Sequence, residues 1–440
     1  MYSEIKECII CKGQLSQVLD LGKQFVVDFV KERNEKLLQA PLVLMRCENC
    51  SLVQLKHRVN PDRLYKKFWY RSGINDQMKN ELLAVVQHAQ ETVTLKPGDK
   101  VLDIGCNDGT LLGWYDKQVM TFGIDPCSSL VGEGMQEKRI DVGIADYFSA
   151  DIVQSLSKMM NLPNPKFKII TAVAMFYDIE TPVQFLLDCK ALLHDHGVLV
   201  IQMNYLGTML KDTAIDNICH EHLAYYSVAA LETAITKAGL ELHGLEFSSS
   251  NGGSIRAYIT HPEFSAFCPD HDTKIRLIQN LQFTKLAETR TGLTTALPYT
   301  KFELEAQTKM AALRRTIDGF TNKKIYAYGA STRGTVLIQY LFQHGGADKI
   351  IGVAERDSNK YGLKMVGTWW PIVDEETFRK DAEIALVLPW HFRDSILERE
   401  QEWLLKGGRM IFPLPVPQIT ELNQKVNTVN MDKIKVEAQA

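Results

Sequence analysis

The sequence predicts an α/β protein with two doubly wound, mostly parallel sheets and a small metal-binding module ahead of them. Three observations carry this. Apolar strand-like runs alternate with helical patterns from KVLDIG to GVLVIQMNY, the same alternation returns from KKIYAYGASTRG onward, and two C-x2-C pairs stand within the first 50 residues. A chain of 440 residues is also too long for one hydrophobic core, since cores stop growing near roughly 250 to 300 residues.

In chain order, the cysteine pairs and short strands such as PLVLMR come first, then a charged aromatic stretch, RLYKKFWYRSG, and a helical pattern ending near Glu91. A Pro97-Gly98 turn precedes the strand KVLDIG, a glycine turn, a helix through Leu111 to Tyr115, and the strand MTFGIDP, which together read as a parallel βαβ unit. Buried strands follow at KFKIITAVAMF and GVLVIQMNY. The second series comprises KKIYAYGASTRG, the helix TVLIQYLFQH, KIIGVAER, IALVLPW and RMIFPLP. The expected organisation is a metal module over 1–65, a ligand-binding α/β domain over 66–270, a helical connector over 271–320, a second Rossmann-like domain over 321–422 and a flexible polar tail over 423–440.

Cys8 and Cys11 are separated by two residues, as are Cys47 and Cys50. Such a turn presents two thiolates to one ion, and a second one completes a tetrahedron, so the expected metal is a structural zinc with no open position. The alternatives are two unrelated pairs or a redox C-x-x-C, although a redox pair has no use for a matching second pair.

In VLDIGCNDGTLL the strand ends at Gly105, where a missing side chain lets backbone approach a ligand, and Gly109 is expected to open a helix with free N–H groups. Asp125 closes the next strand 20 residues later, where a carboxylate can take both hydroxyls of a ribose. Asp103, Asn107 and Asp108 add acceptors and a donor near the place for an amino-acid end. Acid this dense repels a pyrophosphate and suits an ammonium and a sulfonium, which selects S-adenosylmethionine over a dinucleotide. The segment resembles motif I of class I methyltransferases, and that resemblance implies a class I methyltransferase Rossmann-like domain. Asp146 and Tyr147 are placed at the adenine edge.

Farther on, His220, Glu221, His222, Tyr225 and Tyr226 crowd into seven residues, a density suited to proton transfer or, in the plainer alternative, to a hydrogen-bonded loop. The spacing of H-E-H does not suit a metal. With the two cysteine pairs, Cys50 to Leu55, the Y-x-S of Tyr70 to Ser72, VLDIGCNDGTLL, HEHL, GGSIR, YGAS and LPWHF in this order, nearly the whole chain resembles the sugar C-methyltransferases of deoxysugar pathways.

That resemblance implies a methyl donor in the middle domain, with Ser72 at its site, and a nucleotide-diphosphate 4-keto-6-deoxysugar in the cleft toward the C-terminal domain. It implies methylation at sugar carbon 3, with His222 as base, Glu221 as the carboxylate beside it and Tyr70 near the transferred methyl. The chemistry is coherent, because a ketone at carbon 4 acidifies the hydrogen on carbon 3 and the resulting enolate can take the methyl in line. Two positions depart from the family: Cys219 and Asp178 stand where it has a tyrosine and a histidine. The position methylated and the sugar therefore stay open, and Asp178 becomes an alternative base.

Gly329 to Gly334 sit between a strand and a helix, so the backbone, Ser331, Thr332 and Arg333 could meet a diphosphate, with Trp390 and His391 at a neighbouring strand end and His220 also on the substrate side. The alternative is a degenerate Rossmann unit kept for packing. Gly252, Gly253, Ser254 and Arg256 are read as a structural turn by default, with a sugar-side role as the alternative. A net charge of −3 gives no basic field for nucleic acid, and no run is apolar enough for a membrane, so a cytoplasmic enzyme, monomeric or a small homo-oligomer, is expected. An O- or N-methyltransferase on a related sugar and a non-catalytic zinc-containing binding protein are the competing readings.

Overall fold

The computed structural model describes residues 2–33, 37–65, 71–74, 76–162, 165–264 and 267–421. Tyr70 and the expected tail over 423–440 lie outside the described residues.

The middle of the chain builds a seven-stranded sheet. Five strands, Lys100–Ile104, Met120–Ile124, Val142–Ile144, Phe167–Val173 and Leu193–Asn204, run parallel, and their burial on both faces explains their unbroken apolar character. Ser254–Thr260 joins antiparallel to Leu193–Asn204, and Glu241–Ser248 closes that edge. Successive strands spread one way from Lys100–Ile104 and the other way from Phe167–Val173. The crevice where the order reverses, at the carboxyl ends of those two neighbours, is where α/β sheets take ligands.

Local chemistry corrects one expected element. No α-helix follows Gly109; Leu112–Trp114 is a single 3-10 turn. Asp108 Oδ1 takes the Thr110 N–H at 3.2 Å and its hydroxyl at 2.6 Å, a side-chain bond that competes with helical pairing, and Gly113 has low helix propensity. The crevice therefore lacks a helix N-terminus at this point.

A second sheet of six strands has Ile325–Tyr328 and Ile384–Val387 at its centre, flanked by Ile350–Glu355 and Ile372–Asp374 on one side and Arg409–Phe412 and Gln418–Glu421 on the other. Only the last is antiparallel. The helix His271–Thr291 packs Leu277 against Gly244 of the first sheet, whereas Leu297–Gly319 buries Phe302, Met310 and Leu313 in the core of the second.

The N-terminal segment is bound to both. Its long strands Leu15–Phe25 and Gln39–Cys47 pair antiparallel and carry Leu19, Leu21, Leu42 and Leu44 into the core of the C-terminal sheet. Gln339 clamps Phe25, accepting from its N–H at 2.8 Å and donating to its carbonyl at 3.1 Å. The wide gap between the cysteine pairs is thus a hairpin that reaches another domain. At the opposite edge, Val53–Leu55 pairs with Ala224–Tyr225, the residues just after H-E-H-L. None of the helices among the described residues is long and apolar enough to cross a membrane.

Candidate active site

The four sulfurs at the N-terminus lie within 4.8 Å of one another, with Cys8 Sγ 3.5 Å from Cys50 Sγ and Cys11 Sγ 3.4 Å from Cys47 Sγ. Backbone N–H groups of Ile10 and Asn49 point at Cys8 Sγ and Cys47 Sγ, each at 3.4 Å, which favours thiolates. This donor set fits one tetrahedral zinc and leaves no position for a substrate. Through Ala224–Tyr225, the Leu55 N–H to Leu223 carbonyl bond at 2.9 Å and the His220 Nε2 to Ala40 carbonyl bond at 3.0 Å, the same module holds the H-E-H loop.

One cavity of about 610 Å³ runs from the first crevice, past that loop, to the second glycine turn. Ser72, Asp103, Gly105, Asn107, Asp125, Asp146 and Tyr147 line its first part. Gly105 has φ +73° and faces Met175 so closely that a Cβ would lie 3.0 Å from its Cγ, so glycine keeps this opening. Asp125 is held by the N–H groups of Asn107 at 3.0 Å and Cys127 at 2.8 Å, one on each oxygen, and each oxygen keeps a lone pair for a further donor. Burial raises its pKa above the usual carboxylate range against those bonds. Asp103, bonded by Thr171 Oγ1 at 2.6 Å, is pushed up to about 7 by burial. A cationic ligand relieves both desolvated acids.

Asp108 and Gly109 are not on the cavity wall, contrary to expectation. Asp108 turns away to receive the Gly73 N–H at 3.0 Å, and Gly109 is a packing glycine whose Cβ would meet Ile140 Cγ1 at 2.6 Å. They shape the segment carrying Ser72, whose own N–H reaches Asn107 Oδ1 at 3.1 Å.

Farther in, Tyr177, Asp178, Glu221 and His222 share the wall. His222 Nδ1 lies 3.0 Å from the Asn217 carbonyl, which can only accept, so the neutral ring carries its lone pair on Nε2. Burial lowers this imidazole to about 4, and it is uncharged at neutral pH. The Tyr177 ring sits 4.3 Å from it and fixes its plane. Glu221 is pushed up to about 7 by burial. Tyr65 was not legible as a site residue; its hydroxyl donates to the Glu221 carbonyl at 2.8 Å, a contact between segments 156 residues apart.

From the second turn only Thr332 and Arg333 reach the cavity, with Asn251 beside them. Arg333 Nε and Nη2 face Asp216 Oδ2 at 2.9 and 2.8 Å, and Nη1 donates to the Asn251 carbonyl at 2.6 Å. Two of its five N–H groups remain for a ligand. The other substrate-side expectations are corrected. Ser331 caps the helix Thr332–Leu341 through the Gly334 N–H, and Trp390 is buried with Nε1 on Asp216 at 3.0 Å. His391 is desolvated behind it, and His220 points into the zinc module. None of these four lines the cavity. Arg256 is likewise structural, bonded to Glu246 and Gln202 at 2.8 Å inside the sheet, as read for that turn.

An open switch-point crevice with an acidic wall, joined to a four-sulfur module, fits an S-adenosylmethionine-dependent methyltransferase, and the domain matches bear that class out. Three domain families match in order: "Putative zinc binding domain" over 8–65, "Methyltransferase domain" over 74–245 and "C-methyltransferase C-terminal domain" over 249–415. The C-methyltransferase NovU of Streptomyces niveus is 25% identical over 384 residues, covering 86% of this chain and 87% of its own. A ubiquinone biosynthesis O-methyltransferase of Histophilus somni is 26% identical over 139 residues, covering 31% and 58%. Among solved structures, an S-adenosylmethionine-dependent methyltransferase of Clostridium acetobutylicum is 14% identical with a TM-score of 0.32, covering 43% of this chain and 93% of its own. The chain thus carries matches to these three domains in order and is similar over most of its length to a C-methyltransferase.

Proposed function

We propose that the enzyme methylates carbon 3 of a nucleotide-diphosphate 4-keto-deoxysugar through a base-generated enolate. What supports this reading is one cavity lined by Gly105 and Asp125, by the neutral, lone-pair-bearing His222 and by the guanidinium of Arg333. The wall carries eight acids, Asp62, Asp103, Asp125, Asp146, Asp178, Glu180, Asp188 and Glu221, against that one arginine. Among the described lining residues a diphosphate is best matched by the Arg333 and Thr332 end, which supports a sugar near His222. Asp125 would hold the ribose of S-adenosylmethionine and Asp103 its ammonium, with Asp146 and Tyr147 at the adenine; when bound, the donor supplies an electrophilic methyl group. His222 Nε2 removes the carbon-bound proton, and Tyr177 and the Asn217 carbonyl keep the ring in the accepting tautomer. Tyr70 and Ser72 remain proposals from the resemblance, for the methyl and donor sites.

The test is one incubation in deuterated water with methyl-labelled donor and thymidine-, cytidine- and guanosine-diphosphate-linked 4-keto-6-deoxyhexoses. The expected result is deuterium exchange at carbon 3 and label on the same carbon. Label on oxygen or nitrogen without exchange would overturn the reading.

A further inference from the structure

Two carboxyl groups on this wall keep an oxygen without a partner. Asp178 ends the turn Phe176–Asp178 after the strand Phe167–Val173, and Glu221 lies on the loop with His222. Asp178 Oδ1 and Glu221 Oε2 are both buried and have no hydrogen-bond partner among the described residues. Unbonded buried polar atoms cost free energy, so a fold that retains two on one cavity wall suits a ligand that completes them.

The surroundings decide the charge. Tyr177 adjoins Asp178 on its own turn, Tyr65 faces it from the helix Pro61–Tyr65, and Cys219, Glu221, His222 and Tyr225 come from the H-E-H segment. None of these is a cation at neutral pH, and Arg333 is already paired with Asp216. Two desolvated carboxyls with no cation between them among the described residues do not both ionise readily.

We propose that Asp178 is an uncharged carboxylic acid that donates a hydrogen bond to the carbonyl oxygen of the substrate, acting as the acid opposite His222 and not as a base. The assignment rests on the enolate reading above. Burial first, and the charge of Glu221 second, hold Asp178 well above the ordinary carboxylate range. A neutral aspartic acid in a desolvated site is an established donor to enolate oxygens. The balance is simple. His222 Nε2 takes the proton from carbon, the C–H pair becomes the carbon–carbon double bond, and the carbonyl pair moves to the oxygen that Asp178 stabilises. When the double-bond pair takes the donor's methyl, a carbon–carbon bond forms, the methyl–sulfur bond breaks with its pair left on sulfur as a neutral thioether, the carbonyl returns, the proton stays with Asp178, and His222 releases its own to water.

Two measurements decide it. In infrared difference spectra of the full chain at pH 7 against Asp178→Asn, the wild type should show the C=O stretch of a protonated carboxylic acid that the variant lacks; its absence overturns the proposal whatever the reaction. In the exchange assay with the same three nucleotide sugars, Asp178→Ala should lose roughly 100- to 1,000-fold, as when one oxyanion donor is removed. Asp178→Asn, which is isosteric and keeps an N–H donor, should stay within about tenfold of wild type and lose the alkaline limb of the pH profile. Equal loss in both variants would mean that Asp178 accepts a proton, and overturn the assignment. If the alanine variant does not fold, the asparagine variant and the infrared band decide alone. A wild type that exchanges no carbon-3 hydrogen with any of the three sugars overturns the enolate reading, and the donor role with it.

Discussion

The chain contains two crevices of the same design, and they do different things. Each lies where a parallel sheet reverses its strand order, each opens on a glycine in left-handed backbone, and each has an acid at the end of the next strand: Gly105 with Asp125, Gly329 with Glu355. At Gly105 the neighbour is Met175, a flexible side chain on a cavity wall. At Gly329 it is Pro389, whose ring atoms would lie 2.7 Å from a Cβ. Glu355 takes the Ala330 N–H at 2.9 Å, Lys360 covers the Ala330 carbonyl at 2.9 Å, and Ser331 is used in capping. The second crevice is a brace that offers the cavity only Thr332 and Arg333. A Rossmann-like turn is thus a ligand site only where its donors are not already engaged by the protein.

Paired substitutions sharpen this contrast. The largest effect is expected at two histidines, His222 on the cavity wall and His391 behind Trp390. His222→Asn should lower methyl transfer and carbon-3 exchange by roughly 100- to 10,000-fold with donor affinity kept, whereas His391→Asn should leave the rate within about threefold. Near-normal exchange in the first variant would remove His222 as base.

Next comes the brace. Asp216 is fully buried, so Arg333→Met leaves its carboxylate without a counter-charge and with the Trp390 N–H as its remaining partner, and should cost about 3 to 5 kcal/mol in urea unfolding. A stability unchanged by that substitution would show that the second crevice is not held this way.

For the donor, Asp125→Ala should weaken S-adenosylmethionine binding by about 1.5 to 3 kcal/mol in calorimetry, and Glu355→Ala should not change it. If both weaken binding alike, the two crevices are not distinct in function.

A pH dependence follows from Asp103. Its pKa, raised to about 7 by burial, leaves the acid neutral below that pH and ionised above it, and an ammonium prefers the ionised form. Donor affinity should therefore rise with pH through about 7, by up to roughly tenfold per unit on the acid side. Asp103→Asn should flatten that slope; a slope that persists would locate the titration elsewhere.

The smallest effects concern the glycines. An L residue in left-handed backbone costs about 1 to 2 kcal/mol, so both alanine variants lose stability. Gly329→Ala should lose more because Pro389 cannot turn aside as Met175 can, while Gly105→Ala should be the one that weakens donor binding. Thermal unfolding and calorimetry on the pair read both.

The sequence by itself determined the two parallel sheets, the four-cysteine cluster and the Gly105 and Asp125 strand ends, because these depend on apolar period, glycine and cysteine spacing, which are local. Resemblance added the expectation of a C-methyltransferase. Only the tertiary structure decided which way side chains face. Within H-E-H, His222 turns to the cavity and His220 to Ala40, since pairing of Ala224–Tyr225 with Val53–Leu55 fixes the loop from 170 residues away. The same long-range packing made Trp390 a clamp on Asp216 and brought Tyr65 to Glu221. The missing helix after Gly109 is the one local failure, where a side-chain bond from Asp108 outweighed a helical pattern of five residues.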